Sequence, residues 1–380
     1  MEVSSAVLYR LHFFPGLCLY ILGVALIGQI YWLVRKRFPR TVLIFALASL
    51  ALLSVGYLAE FARVYRRFPV WWVSWLQGAA IIETVFLVGF YPAALAARAT
   101  PVFQSKRRTF LKTASAALCI APVAMAGFGI LERNRFRLTT IKIPVANLPK
   151  ELDGLRIVQI TDIHLSPFLS EREFARAVDM ANETHAHLAL VTGDLISRPG
   201  DPLDACLKQL SRLRADAGVL GCLGNHEAYT HTEDYVTAQG RRIGIEFLRG
   251  EAKVVRFGGG AINFAGVDYQ RASQPYLEGT GRLIVPGTTN ILLSHNPDVF
   301  PVAAGQGYDL TIAGHTHGGQ VDVEILHQHW NAARYFTPYV RGLYKQGSSS
   351  VYVSTGLGTI GAPIRLGAPP EVNLLQLCAT

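Results

Sequence analysis

Short apolar segments that each end in a metal-binding type of side chain are the feature that most constrains how this sequence can fold. In the clearest of them, residues 157–165, an apolar run leads into Asp162 and His164. Side chains at positions i and i+2 of an extended chain point to the same side, so these two can converge on one ion while Ile163 turns into the core. Four further segments end in the same way, with Asp194, with Asn225 and His226, with His295, and with His315 and His317. We therefore expect five strand ends to bring oxygen and nitrogen ligands to one place.

The order of these blocks is D-x-H, G-D, G-N-H-E, a lone His and then G-H-x-H. From about Leu155 to the C-terminus, this order resembles the calcineurin-like metallophosphoesterase family. The resemblance implies an α+β fold, a four-layer αββα sandwich of two mixed β-sheets flanked by helices, with the metals at the strand ends. It also implies a metal-dependent phosphoric ester hydrolase. From the residues alone, Ser170 followed by Glu173 predicts a capped helix over 170–185.

The resemblance also implies roles for the individual side chains. One metal ion would be held by Asp162, His164, Asp194 and His317, and a second by Asp194, Asn225, His295 and His315, with Asp194 as the bridge. His226 would be the catalytic residue that binds the phosphate or protonates the leaving oxygen. Carboxylates, imidazoles and an amide without a thiolate suit Mn, Fe or Zn. Two such ions about 3.5–4 Å apart can clamp a phosphate and lower the pKa of a water between them. Arg365 is expected either to contact phosphate or to pair at the surface.

Three long apolar runs, at 11–34, 41–61 and 70–97, are each about long enough to cross roughly 30 Å of hydrocarbon as helices. A fourth run at 113–131 is shorter and rich in Ala and Gly. We therefore expect an all-α membrane region over residues 1–132, a linker over 133–150 and a metallophosphoesterase domain over 151–380. Glu83, in the third run, is either a functional group or an acid bonded to a neighbouring helix.

Basic residues are distributed unevenly along the chain. Residues 1–150 contain 18 Lys or Arg and four acidic residues, whereas residues 151–380 contain 18 and 23. The net charge of +9 is therefore a property of the first segment, where short basic clusters separate apolar runs. This distribution argues against nucleic acid as a partner. The five cysteines are scattered without a C-x-x-C pair, so neither a disulfide framework nor a thiolate zinc site is indicated.

The basic residues between the apolar runs predict the orientation of the chain. They are Arg35, Lys36, Arg37 and Arg40 after the first run, Arg63, Arg66 and Arg67 after the second, and Arg98, Lys106, Arg107, Arg108 and Lys112 after the third. Cytoplasmic first and third loops place everything beyond residue 132 outside the cytoplasm. Residues 106–112 also resemble a twin-arginine export signal, although Lys precedes the arginine pair and the motif is internal. Residues 124–126 have the A-x-A form of a cleavage site, which leaves the fourth run either removed or retained.

These observations predict a multi-pass protein of the cell (inner) membrane with an extracytoplasmic phosphoesterase domain. The expected substrate is a phosphodiester, with a pyrophosphate, lipid or cell-envelope component as further options, and the twin-arginine machinery is a candidate partner. The alternative is a membrane sensor or scaffold that binds metal or phosphate without turnover. Residues 329–344 mix aromatics with two arginines. They form either an ordinary packed excursion or a lid that grips a lipid, with Trp330, Tyr335, Phe336 and Tyr339 at the interface.

Overall fold

The computed structural model describes residues 5–36, 39–64, 70–99, 124–271, 276–325 and 328–380. The chain divides into two compact units, Met1–Leu131 with Gly361–Pro363, and Glu132–Ile360 with Ile364–Thr380. The twin-arginine-like motif at 106–112, and the fourth apolar run as far as residue 123, lie outside the described residues. The A-x-A sequence at 124–126 is helical.

The regular elements described in the first unit are all helices. Its helices are α1 (Ser5–Val34), α2 (Pro39–Val64), α3 (Val70–Ala99) and α4 (residues 124–132, the last of which belongs to the second unit). Three spans within α1, α2 and α3 are long and apolar enough to cross a membrane: Leu17–Val34, Arg40–Tyr57 and Trp72–Leu95. The three long apolar helices predicted from the sequence are therefore present. Within this unit, the Ser49 hydroxyl of α2 donates a 2.5 Å hydrogen bond to Glu83 of α3, so the acid in the third span is bonded to a neighbouring helix.

The second unit contains fourteen described strands and five described helices. The strands are β1 (Arg137–Val145), β2 (Arg156–Ile160), β3 (Leu188–Thr192), β4 (Val219–Cys222), β5 (Ile245–Phe247), β6 (Glu251–Phe257), β7 (Gly260–Gly266), β8 (Thr289–Leu293), β9 (Leu310–Ala313), β10 (Asp322–Ile325), β11 (Gln328–Asn331), β12 (Gly342–Gln346), β13 (Ser349–Val353) and β14 (Glu371–Ala379). The helices are α5 (Glu171–Glu183), α6 (Leu203–Leu210), α7 (Asn225–Thr230), α8 (Glu233–Arg242) and α9 (Phe300–Gln306).

Two six-stranded mixed sheets form the centre of this unit. The first has the order β1-β14-β2-β3-β4-β5 and the second the order β12-β13-β9-β8-β7-β6, while β10 and β11 form a separate hairpin. One apolar core joins the two sheets, with Ile157 and Leu190 from the first and Phe264 and Ile312 from the second. A second core places α5 and α6 on the outer face of the first sheet, and α9 packs on the second sheet. This confirms the predicted fold of two mixed sheets flanked by helices.

Helix α5 begins where the sequence predicts. Its N-cap Ser170 accepts from the Glu173 N–H, and the Glu173 carboxylate accepts from the Ser170 N–H in return, which completes a capping box. The apolar face of α5, with Phe174, Ala177 and Val178, is fully buried against the first sheet. The local sequence signal and the burial of this face therefore agree.

Residues 137–145 differ from the expected linker, because they form β1 and pair in parallel with β14 along their whole length. Lys142 and Pro144 are uncommon in strands, so the sequence did not predict one here. Both residues fit the position of β1 at the edge of the sheet, where a proline costs no ladder hydrogen bond. The alternating residues Ile143 and Val145 are buried in the core between the sheets. The second unit therefore includes a strand from a part of the chain that precedes the motif blocks.

The strand directions determine where the metal-binding side chains lie. Strands β2, β3 and β4 are parallel neighbours in the first sheet, and β8 and β9 are parallel neighbours in the second. The carboxyl ends of parallel neighbours meet at one edge of a sheet, which is where open α/β folds bind ligands. All of the sequence-predicted ligands follow these five strands.

Candidate metal centre

Each predicted ligand lies two to four residues beyond the end of its strand, and several adopt a strained backbone. Asp162, His164, Asp194, His315 and His317 all have left-handed φ angles, of 50°, 46°, 57°, 74° and 53°. Asp and His tolerate this region better than most residues, but each instance still costs on the order of 1–3 kcal/mol. Such strain persists only where the surroundings over-determine it, and it clusters at functional sites. Here it turns side chains from two sheets toward one point.

Asp194 is at the centre of the cluster. Its Oδ2 lies 3.0 Å from His295 Nε2, 3.4 Å from His164 Nε2 and 4.0 Å from His226 Nε2. Its Oδ1 accepts a 2.9 Å hydrogen bond from the backbone N–H of His226. The carboxylate is fully buried. One oxygen atom of Asp194 therefore faces three imidazoles from different strand ends.

Asp162 lies on the other side of the cluster. Its Oδ1 is 3.4 Å from His317 Nε2 and 3.8 Å from His295 Nε2, and its carboxylate accepts from the backbone N–H of His315 at 3.0 and 3.1 Å. The Nε2 atoms of His164 and His317 are 3.0 Å apart. The described residues form three groups of mutually close ligand atoms, two of which share Asp194. They are Asp162, His164 and His317, then His164, Asp194 and His226, and then Asp194, His295 and His315.

Two buried polar atoms of the cluster lack a hydrogen-bond partner, namely His295 Nε2 and Asn225 Oδ1. The Nδ1 atom of His295 lies 2.7 Å from the carbonyl oxygen of Thr192. A carbonyl only accepts, so Nδ1 carries the proton and Nε2 is the atom directed at Asp194. His295 Nε2 approaches Asp194 Oδ2 at 3.0 Å as a charge contact. A buried polar atom without a partner costs free energy unless a ligand binds to it, so both atoms fit a metal-binding role.

The pKa values of the cluster reflect burial opposed by nearby charge. Burial lowers the pKa of His226 to about 4 and, together with His295, that of His315 to about 3. Burial also acts to lower the pKa of His295, but the carboxylates of Asp194 and Asp162 outweigh it and raise that pKa to about 10. Burial acts to raise the pKa of Asp194, yet His295 and His226 hold it well below its usual range. His226 and His315 are therefore neutral beside an ionised Asp194, as metal binding requires, whereas His295 would release a proton when a metal binds.

Ser197, which the sequence motifs did not single out, contacts two of the histidines. Its carbonyl oxygen lies 2.6 Å from His226 Nδ1, and its hydroxyl lies 3.1 Å from His164 Nδ1. Asp201 fixes this turn by accepting from the Ser197 N–H at 3.1 Å. Because the Nδ1 atom of His226 donates to a carbonyl, its Nε2 atom is the one directed into the cluster. An S-x-x-x-D pattern that begins three residues after the G-D block was the only available signal, and it is a weak one.

Glu227 is a second residue whose contribution the sequence did not reveal. Its carboxylate is fully buried and accepts from three backbone N–H groups, those of Gly224 (2.7 Å), Asp194 (2.9 Å) and Leu195 (2.7 Å). Burial raises the pKa of Glu227, and these donors act in the opposite direction. The side chain therefore joins the loop after β3 to the loop after β4.

Arg365 does not form a surface pair, which was one of the two expectations from the sequence. Its guanidinium is fully buried and donates to backbone carbonyls, including those of His317 (2.9 Å), Thr355 (2.8 Å) and Gly358 (3.0 Å from Nε). Its Nη2 also lies 3.3 Å from His317 Nδ1. Burial lowers the pKa of Arg365 to about 10. Arg365 is therefore a buried brace of the His317 turn whose donors are committed to backbone carbonyls, and not a surface pair.

Two glycines are required by the close packing of the cluster. A Cβ atom on Gly224 would lie 2.1 Å from Asp194 Oδ1, and one on Gly314 would lie 2.2 Å from Asp162 Oδ2. Both distances are far below van der Waals contact, so any side chain at these positions would displace a carboxylate. The glycines of the G-N-H-E and G-H-x-H blocks thus make room for the acids.

Three comparisons with known proteins bear on this cluster. The sequence model of the calcineurin-like phosphoesterase family matches residues 155–319, a range that includes every predicted ligand. The uncharacterized metallophosphoesterase YkuE of Bacillus subtilis is 30% identical over 289 residues, which cover 72% of this chain and 98% of that protein. The chain belongs to the calcineurin-like phosphoesterase family.

This calcineurin-like phosphoesterase also resembles membrane proteins. The Danio rerio transmembrane protein with metallophosphoesterase domain is 30% identical over 283 residues, covering 71% of this chain and 63% of that protein. The chain thus spans less than two thirds of that relative. Among solved structures, TT1561 of Thermus thermophilus aligns with a TM-score of 0.36 and 13% identity, over 54% of this chain and 90% of that one. The family and the buried His/Asp cluster together make the protein a metal-dependent phosphoester hydrolase.

Proposed function

We propose that this protein is a membrane-anchored phosphodiesterase that works with two divalent ions. The observation that carries the proposal is the position of Asp194 Oδ2, which faces His164, His226 and His295 from one side while His317 faces Asp162 from the other. A single carboxylate shared between two groups of ligands is the arrangement that a pair of ions requires.

In this proposal Asp162, His164, Asp194 and His317 hold one ion, and Asp194, Asn225, His295 and His315 hold the other. The donor set of carboxylates, imidazoles and an amide favours Mn, Fe or Zn. When bound, such ions neutralise phosphoryl charge and make water a better nucleophile. The unpartnered atoms of His295 and Asn225 support this assignment, because each would gain a partner.

The protein's own groups orient the reacting parts. His226 is held through Nδ1 by the Ser197 carbonyl, so its Nε2 is free to bind a phosphoryl oxygen or to pass a proton to the leaving oxygen. Tyr229 and Tyr269 border this side, with ring centroids 5.5 Å from His226 and from His315, respectively. We assign the catalytic role to His226 and a substrate-bordering role to the two tyrosines.

A phosphodiester is the favoured substrate because of where Arg365 directs its donors. A monoester carries a larger negative charge than a diester, and an additional exposed cation would favour it. Arg365 is committed to backbone carbonyls instead. A diester, which carries a single negative charge, suits the cluster better, and a pyrophosphate or lipid-linked bond is the further option.

The distribution of basic residues supports an extracytoplasmic catalytic unit carried by several membrane spans of the inner membrane. The first and third basic loops together contain nine positive residues, whereas the second contains three. Because loops rich in Lys and Arg stay in the cytoplasm, this difference favours a cytoplasmic position for the first and third loops. The twin-arginine-like motif at 106–112 offers a route of export.

The substrate assignment is tested with the full chain in detergent after loading with Mn, Fe or Zn. We expect kcat/KM for bis(p-nitrophenyl) phosphate to exceed that for p-nitrophenyl phosphate by at least about tenfold, equivalent to about 1.4 kcal/mol. A preference for the monoester would contradict the diester assignment. Absence of turnover on both, with two ions bound, would favour a non-hydrolytic binding domain.

A further inference from the structure

Three large aromatic side chains are exposed on β11 and on the segment between β11 and β12. Trp330 is 60% exposed, Tyr335 is 82% exposed and Phe336 is 85% exposed. We call these three residues the aromatic patch. Tyr339 differs from them, because it packs edge-on against Phe300 and Tyr344, with centroids 5.6 and 5.3 Å away. Exposed aromatics in such number within seven residues mark an interaction surface rather than a core.

The chain that carries the aromatic patch is fixed to the loops of the metal centre. Asn331, which is buried, donates a 2.9 Å hydrogen bond to the carbonyl oxygen of Gly318, the residue after His317. Thr337 donates a 2.5 Å hydrogen bond to Asp298, three residues after His295. The turn between these two anchors contains Tyr335 and Phe336. The segment that carries the aromatic patch is therefore hydrogen-bonded to the loops that carry His295 and His317.

The segment that carries the aromatic patch has no acidic residue of its own, and its acidic neighbours Asp298, Asp322 and Glu324 belong to adjacent segments. From residue 325 to residue 370 the sequence contains no Asp or Glu. Arg334, inside the turn, is exposed, while Arg341 is paired with Asp322 at 2.7 Å. Trp and Tyr combine an apolar body with a polar tip and favour the headgroup level of a bilayer, and an exposed Arg beside them favours anionic headgroups.

We propose that the aromatic patch seats on the surface of a bilayer that contains anionic lipids, and so brings the metal centre to phosphoesters held in that membrane. Helices α1, α2 and α3 are apolar enough to place the same chain in a membrane, so a bilayer is the partner at the highest effective concentration. Binding of the aromatic patch to lipid does not depend on the proposed function, whereas the inference that the substrate is held in the membrane rests on it. The apolar rings enter the interface, and Arg334 pairs with a headgroup.

The seating is tested without any turnover. The full chain is placed in nanodiscs of phosphatidylglycerol and phosphatidylethanolamine, and the Trp330 signal is obtained by subtracting the emission of the Trp330→Phe variant. We expect this difference emission to be quenched by lipids brominated on their acyl chains and shielded from aqueous acrylamide. Quenching by acrylamide alone would overturn the proposal. Shielding from both quenchers would also overturn it, because a second copy or another protein would then cover the patch.

The consequence for substrate is tested with a variant that carries Trp330→Ser, Tyr335→Ser and Phe336→Ser. We expect the ratio of turnover of a lipid phosphodiester in the nanodisc to turnover of a soluble aryl phosphodiester to fall at least about tenfold. Val254→Ser removes a 47% exposed apolar residue from β6 and should leave the ratio unchanged. An unchanged ratio in the triple variant would overturn the membrane-borne substrate. Absence of both activities in the unmodified chain would reject the proposed function, while the quenching result would still decide the seating.

Discussion

The carboxylate of Glu227 holds the backbone of Asp194 in place, with Oε2 accepting from the Asp194 N–H at 2.9 Å. The same oxygen accepts from the N–H of Gly224 at 2.7 Å, and Oε1 accepts from the N–H of Leu195 at 2.7 Å. Asp194 has a left-handed φ of 57°, a conformation that its surroundings must stabilise. Glu227 supplies that stabilisation from the loop after β4 and is therefore a positioning residue for Asp194.

Replacing Glu227 by Gln is expected to damage both stability and catalysis. An amide nitrogen would face backbone donors, which leaves at least one buried N–H without an acceptor at a cost of about 1–3 kcal/mol. We expect the midpoint of thermal unfolding to fall by about 5 °C and diester turnover to fall by about 10²-fold, because Asp194 shifts. Glu246→Gln, which disrupts a surface pair with Lys253, should change neither property appreciably. Normal turnover by Glu227→Gln would show that Asp194 does not depend on this brace.

Arg365 is predicted to be a structural residue with an effect on metal binding. Arg365→Met removes the donors to the carbonyls of His317, Thr355 and Gly358, and orphaned buried carbonyls cost about 1–3 kcal/mol each. We expect a strongly lowered unfolding temperature and weaker metal retention, because the turn that carries His317 loses its support. Arg212→Met, at the surface pair with Asp179, is the matched control. If Arg365→Met raised the KM for substrate without any loss of stability, Arg365 would be a phosphate contact after all.

His226 is predicted to act on the substrate without holding the metals. His226→Ala should retain bound metal and slow catalysis by about 10²- to 10⁴-fold, most strongly for substrates with poor leaving groups. His231→Asn, a change at an exposed helix C-cap with a φ of 55°, serves as the control, since Asn tolerates that backbone conformation. Metal content is measured together with turnover. Loss of metal from His226→Ala would make His226 a ligand, a role its 4.0 Å approach to Asp194 would also allow.

The orientation of the chain is predicted from its basic loops. A reporter that folds only outside the cytoplasm, fused after Thr380, should be active. Replacing Arg107 and Arg108 by Lys should then abolish reporter activity if the twin-arginine route is used, because that signal distinguishes Arg from Lys. Activity of a reporter that folds only in the cytoplasm would reverse the predicted orientation. Unchanged export of the double variant would reject the route alone.

The sequence predicted the parts of this molecule that depend on local pattern. Strand ends such as Asp162 and Asp194, the capping box of Ser170 and the three long apolar helices follow from spacing and composition, and the structure contains them. Strand β1 was missed because an edge strand tolerates Pro144, which is a poor residue for most strands.

The supports of the metal centre could not be predicted in the same way. Ser197, Glu227 and Arg365 contact the cluster through backbone groups, and the partners of Arg365 are distributed between residues 317 and 368. Nothing in the residue type reveals such contacts. For this reason the sequence suggested that Arg365 contacts phosphate or pairs at the surface, whereas the structure shows a buried brace. Long-range packing decides which atoms a buried charge meets.

The measurement that tests the two-ion phosphodiesterase most directly is metal content and diester turnover of the full chain with and without Asp194→Asn. We predict two divalent ions per chain in the unmodified protein. In Asp194→Asn we predict loss of most metal and a fall in turnover of at least about 10³-fold, because one substitution weakens both groups of ligands. Asp179→Asn, at the surface pair with Arg212, should retain both properties. Near-normal turnover, or undiminished metal content, in Asp194→Asn would contradict the account.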